Sequence, residues 1–192
     1  MAVILIGTLD TKGSEIAFVR DRLKSLGVDV LVIDAGVIGN PLIQPDIPAD
    51  RLFESAGTTL AKVRERGDRG EAVTLAAQGS AKLILDLHRQ GKVDGIVGLG
   101  GSAGATIGTS AMRALPFGIP KLMVTTLASG QTRPYVGSSD IMMLHSVADI
   151  SGINRISRTV LSNAASAMAG MVKTPIPSAT GDKPIIAATM FG

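Results

Sequence analysis

The sequence predicts an α/β protein of the doubly wound type, a mostly parallel sheet with helices on both faces. Three observations carry this. Short apolar runs, such as residues 2–6, read as strands buried on both sides. Amphipathic segments at helical spacing separate them, so successive strands need crossovers and pair in parallel. Polar, glycine-bearing loops follow the strand ends, which is where open α/β sheets of this Rossmann-like kind bind ligands. With 192 residues, 45% hydrophobic and 18% charged, the chain has a globular composition and length enough for one core and a short appendage.

Residues 2–7 form the first expected strand, ending at Gly7. A helix follows over about 12–26, with Ile16, Val19, Leu23 and Leu26 at helical spacing and Gly27 as its stop. The second strand is 28–34. Residues 35–50 carry Gly36, Gly39, Pro41, Pro45 and Pro48 and read as an irregular arm, long enough to be functional or to wrap a neighbour. Residues 51–66 read as one helix and 71–90 as another, the latter with Val73, Ala77, Ile84 and Leu87 on one face. The third strand is 93–98, followed at once by a glycine cluster and a helix from about Ala105 to Leu115, closed by Pro116. The fourth strand is 121–125. Residues 126–139 read as a polar loop, and 141–144 as a short apolar stretch without a strand assignment.

A long helix is expected over 153–172. Its small residues Ala164, Ala165, Ala167, Ala169 and Gly170 permit close helix approach, within the chain in the first instance and across a dimer seam as the alternative. A polar linker at 178–183 leads to a last strand at 184–189. The run from Ile185 to Gly192 echoes Ile4 to Asp10, so the expected division is a lobe over 1–177 and, over 178–192, a linker and the first strand of a second, absent lobe. A terminal edge strand is the competing reading.

Composition removes several classes. The chain has no cysteine, hence no disulfide, thiolate metal site or cysteine nucleophile. With a net charge of +3, no basic run, one Tyr and no Trp, direct nucleic-acid binding is not expected. No apolar run approaches the roughly 20 residues that span a bilayer, and the N-terminus lacks a basic leader. A cytoplasmic location without a membrane partner is the expectation.

Four loops sit at the expected carboxyl ends of strands. The sharpest is Gly98-Leu99-Gly100-Gly101-Ser102-Ala103-Gly104, which fits G-x-G-x-x-[GA] between a strand and a helix. Glycines there let backbone N–H groups approach a phosphate, the helix N-terminus adds partial positive charge, and Ser102 and Thr106 can donate further. There is no Gly-Lys-[Ser/Thr] ending, so it is not a Walker A loop, and no acid ends the next strand, so it is a poor NAD fingerprint. The competing reading is that the glycines only allow close helix–strand packing.

In the first loop Thr8, Asp10 and Thr11 are candidates for the same site, Asp10 or Thr11 also for capping the helix. Lys12 opposes the helix dipole unless an anion is bound nearby. Asp34 ends the second strand, where an acid accepts ribose hydroxyls or simply closes a turn. In the fourth loop Thr125, Thr126, Ser129 and Gly130 supply hydroxyls and backbone. Ser129 as a nucleophile would need a histidine base, and the only two are His88, late in an amphipathic helix, and His145, near Asp149, so a triad is not the reading adopted. Asp140 and Asp149 are possible magnesium ligands, though a metal would more naturally arrive with a nucleotide's phosphates.

Residues 8–13 (Thr-Leu-Asp-Thr-Lys-Gly), 98–104, 115–121 (Leu-Pro-Phe-Gly-Ile-Pro-Lys), 125–130 (Thr-Thr-Leu-Ala-Ser-Gly) and 149–154 (Asp-Ile-Ser-Gly-Ile-Asn) together resemble one family. It is the conserved, largely uncharacterised bacterial and fungal family whose plant member is a tomato mosaic virus resistance protein. The resemblance covers essentially the whole chain. It implies an ATP-binding N-terminal region built from two Rossmann-like lobes, association into dimers, and a chain about twice this long, whose second lobe would begin at Ile185. It implies no settled reaction. The function expected is therefore nucleotide binding, with ATP, alone or with magnesium, as ligand. The alternatives are an ATP-dependent enzyme that needs the second lobe and a NAD-type oxidoreductase.

Overall fold

The computed structural model describes residues 2–174. β1 (Ala2–Gly7) leads through α1 (Leu9–Ser25) to β2 (Val30–Asp34). Then come α2 (Ala49–Ser55), α3 (Leu60–Arg66), α4 (Arg69–Arg89) and β3 (Val93–Leu99). α5 (Ser102–Ala114) connects to β4 (Lys121–Thr125), and a 3-10 turn (Thr126–Ser129) and α6 (Arg133–Val136) precede β5 (Met142–His145) and α7 (Arg155–Lys173). The strands form one five-stranded sheet in the order β2-β1-β3-β4-β5. Every pairing is parallel.

The alternation along β1 sorts two cores. Ile4 and Ile6 face α2, α3, α4 and α5, together with Ile33, Ile96 and Met123. Val3 and Leu5 face α1 and α7, together with Val32, Val97, Leu122 and Val124. Both faces of the sheet are covered, which is why its strands read as apolar runs. Of the small residues of α7, Ala164, Ala165 and Ala169 are buried in the second core with Met168, while Ala167 and Gly170 are exposed. Packing within the chain accounts for the buried three.

Two expectations need correction. The fifth strand of the described sheet is Met142–His145, which the sequence left as a bare apolar stretch. It is a half-covered edge strand of 4 residues, too short for a periodicity signal. The strand expected at 184–189 and the linker before it lie outside the described residues. The single helix expected over 51–66 is two, because Gly57 adopts a left-handed φ of +83° and Thr59 caps α3 by accepting from the Lys62 amide at 3.3 Å. The 35–50 arm is irregular as expected, and Ile47 bridges to Ile33 along the free edge of β2.

Candidate functional site

The order 2-1-3-4-5 reverses direction between β1 and β3, so the chain leaves these neighbours toward opposite faces: α1 after β1, α5 after β3. Loops that diverge in this way leave a crevice at the carboxyl edge, the topological switch point of a doubly wound sheet. The four loops singled out from sequence all follow carboxyl ends of neighbouring strands, β2, β1, β3 and β4.

The glycines of the third loop divide by role. Gly100 has φ +151°, and a Cβ on it would lie 2.9 Å from the Gly104 Cα. A Cβ on Gly104 would lie 2.8 Å from the Leu99 carbonyl oxygen. These two are needed for the chain to turn tightly from β3 into α5, as the packing reading holds. Gly101 is different. It is the N-cap of α5 with ordinary extended dihedrals (φ −76°, ψ −150°), and its side-chain position is open, with only Thr126 Oγ1 nearby at 3.9 Å.

α5 begins without a side-chain cap and without an acidic residue in its first turn. Among the described residues no acceptor meets the amides of Ser102, Ala103 or Gly104, the first such bond being Ala105 N–H to the Gly101 carbonyl at 2.8 Å. An uncapped helix start leaves these donors to water or a ligand. Thr106 turns its hydroxyl back to the Ser102 carbonyl at 3.0 Å and so stiffens the first turn.

The first and second loops are tied to one another. Asp10 does not cap α1; its Oδ2 accepts from the amides of Ile38 (2.9 Å) and Gly39 (3.1 Å), tying the arm to the first turn of α1. Its other oxygen is buried without a hydrogen-bond partner among the described residues. Asp34, 4% exposed, accepts at Oδ1 from Leu9 N–H (3.0 Å) and Gly36 N–H (2.8 Å). Burial pushes its carboxyl above the ordinary range, against the two amide bonds, and the neighbouring Asp10 charge pushes the same way. Thr8 and Thr11 share a hydroxyl–hydroxyl bond of 2.7 Å. The Lys12 ammonium donates to the Ile150 carbonyl, and Glu15 accepts from Gly152 N–H at 2.6 Å, so α1 secures the loop after β5.

Thr125 accepts from Leu127 N–H at 3.2 Å and starts the 3-10 turn, and Ser129 donates to the Thr126 carbonyl at 3.3 Å. His145 ends β5 in register with Thr125. Asp140 does not serve the crevice. It lies before β5 and holds Lys121, the first residue of β4, at 2.7 Å, together with Gly118 N–H at 2.8 Å. That is the amino edge, the opposite end of the sheet. Desolvation works against its charge, but the Lys121 ammonium and the amide outweigh it and hold the carboxyl below its usual value. Among the described residues no group of three or more His, Cys, Asp or Glu side chains could hold a metal.

Beside the glycine loop lies a cavity of about 400 Å³ lined by Thr126, Leu127, Ser129, Gly130, Gln131, Pro134 and Tyr135. Leu127, Gln131, Pro134 and Tyr135 were not singled out from sequence. The available signal was the one Tyr of the chain, placed next to a proline just after a hydroxyl-rich loop.

An all-parallel sheet of this order, with glycine loop and cavity at its carboxyl edge, defines a doubly wound, Rossmann-like α/β lobe. The chain belongs to the UPF0261 family: the model for the N-terminal domain of this uncharacterised protein family matches residues 1–177. A UPF0261 protein of Clostridium tetani is 48% identical over 190 residues, covering 99% of this chain and 47% of its own. One from Mesorhizobium japonicum is 45% identical over the same shares. The tomato (Solanum lycopersicum) ToMV susceptible protein tm-1(GCR26) is 35% identical over 214 residues, covering 99% of this chain and 28% of its own. The chain spans about half the length of the bacterial relatives, at 47% of each. Among the described residues no helix is long and apolar enough to cross a membrane.

Proposed function

We propose that this lobe is a cytoplasmic nucleotide-binding unit, with ATP as its ligand and the phosphates received by the glycine loop. The observation that carries the reading is the uncapped start of α5, where the amides of Ser102, Ala103 and Gly104 lack acceptors among the described residues beside the open face of Gly101. An anion there satisfies orphan donors and gains from the helix dipole. Thr126 flanks the same space, and Ser102 is exposed in the first turn of α5. In this reading Asp10, Lys12 and Asp34 act through the loops they hold and not as phosphate ligands. Magnesium, where used, comes with the phosphates. Self-association, also proposed, falls to the 35–50 arm, which leaves Ile38 86% and Leu42 61% exposed.

A thermal-shift series with ATP, NAD and inorganic phosphate tests the proposal. Ligand at a hundredfold excess over Kd stabilises the folded state by about 2.7 kcal/mol. A shift with ATP and a smaller one with phosphate is expected. A shift with NAD alone would favour a dehydrogenase, and no shift with any anion would leave the glycine loop as packing.

A further inference from the structure

The cavity lined by Leu127, Ser129, Gln131, Pro134 and Tyr135 has no part in the phosphate loop, yet it adjoins it. Thr126 belongs to both: it lines the cavity, and its Oγ1 is the nearest atom to the open face of Gly101, at 3.9 Å from the Cβ position. We infer that this cavity is the nucleoside subsite, taking the planar base of a nucleotide whose phosphates lie on the α5 amides. The inference rests on the nucleotide reading above and adds what is recognised beyond phosphate.

Size and chemistry fit. About 400 Å³ lies within the range of small-ligand sites. Such sites combine apolar walls with a few polar groups, here Leu127, Pro134 and Tyr135 against Ser129 and Gln131. Gln131 is exposed and makes no side-chain hydrogen bond to the described residues, so its amide keeps a donor and an acceptor for the edge of a base. Tyr135 offers an aromatic surface for stacking. The wall is held in place from behind. Arg113 on α5 donates to the Tyr135 carbonyl, and Leu127 and Tyr135 both pack partly on the core. The helix that presents the amides thus also anchors the aromatic wall.

The test compares ATP, inorganic triphosphate and adenosine by calorimetry on the wild type, Tyr135→Leu and Tyr135→Phe. ATP is expected to bind more tightly than triphosphate. Tyr135→Leu should weaken ATP roughly 5- to 150-fold, the range that losing a stacked base produces. It should leave triphosphate affinity unchanged, which also shows that the variant is folded, and Tyr135→Phe should bind ATP like the wild type. Equal affinity for ATP and triphosphate, with no effect of Tyr135→Leu, would overturn the base subsite and leave the phosphate loop standing. Adenosine binding without triphosphate binding would support the subsite and overturn the phosphate loop. No binding of any of the three would overturn both.

Discussion

Replacing Gly101 with Asp separates stability from binding. The N-cap backbone of Gly101 is already extended, and its Cβ position is open to 3.9 Å. A carboxylate there accepts from the free amides of the first turn and occupies the place proposed for a phosphate. Asp ranks above Gly as an N-cap, and a negative charge at a helix start is worth about 0.3–1 kcal/mol. The apo variant should therefore gain about 0.5–1 kcal/mol, seen as a rise in Tm of roughly 1–4 °C for a chain of this size. The ATP-induced shift of the wild type should disappear, because like charges now compete for one set of donors. Differential scanning fluorimetry with and without ATP reads both effects. A variant that retains the full ATP shift would refute the placement of the phosphates. One that unfolds would refute the open geometry at Gly101.

Other perturbations follow from the same contacts. Gly100→Ala should cost about 1–3 kcal/mol in denaturant melts from a strained φ alone, whereas Gly101→Ala should stay within about 0.5 kcal/mol; equal costs would contradict the division of the loop into packing and open glycines. Asp34→Asn keeps the Oδ1 acceptor for Leu9 and Gly36 without a charge to bury. A carboxyl with a raised folded-state pKa stabilises fully below its unfolded value, near 4, and that contribution is lost as pH rises through the folded value. The variant should thus be the more stable at pH 7, with the difference closing toward pH 4; an unchanged pH profile would count against a buried charge at Asp34. Phosphate release from Mg-ATP by this chain should fall far below the roughly 1 s⁻¹ floor of typical enzymes. Release at enzymatic rates that is lost in Asp10→Ala would make the enzyme alternative correct. Light scattering should detect dimers weakened by Ile38→Ser, and monomers at all concentrations would remove the arm as a contact.

The amino-acid order determined the layers and the sheet edge on which the candidate loops gather. The apolar run of β1 alternates between two cores, and a run that is apolar at every position already states that both faces are covered. Polar loops after such runs mark the carboxyl edge, because parallel strands all end there. Those features are local, written in neighbours and near neighbours. Which strands pair, and in what order, was not legible, because register depends on contacts between distant segments. β5 became a strand only by pairing with β4. The partners of the acidic and basic candidates were decided in the same way. Asp10 reaches residues 38 and 39, Lys12 reaches residue 150, and Asp140 is drawn to Lys121 at the far edge. The glycine cluster shows the divide most plainly. In sequence, Gly100, Gly101 and Gly104 are equivalent as residues that permit close approach. Only the folded backbone distinguishes the two whose Cβ would strike the chain from the one whose Cβ would meet open space, since steric room is a property of what the fold brings near.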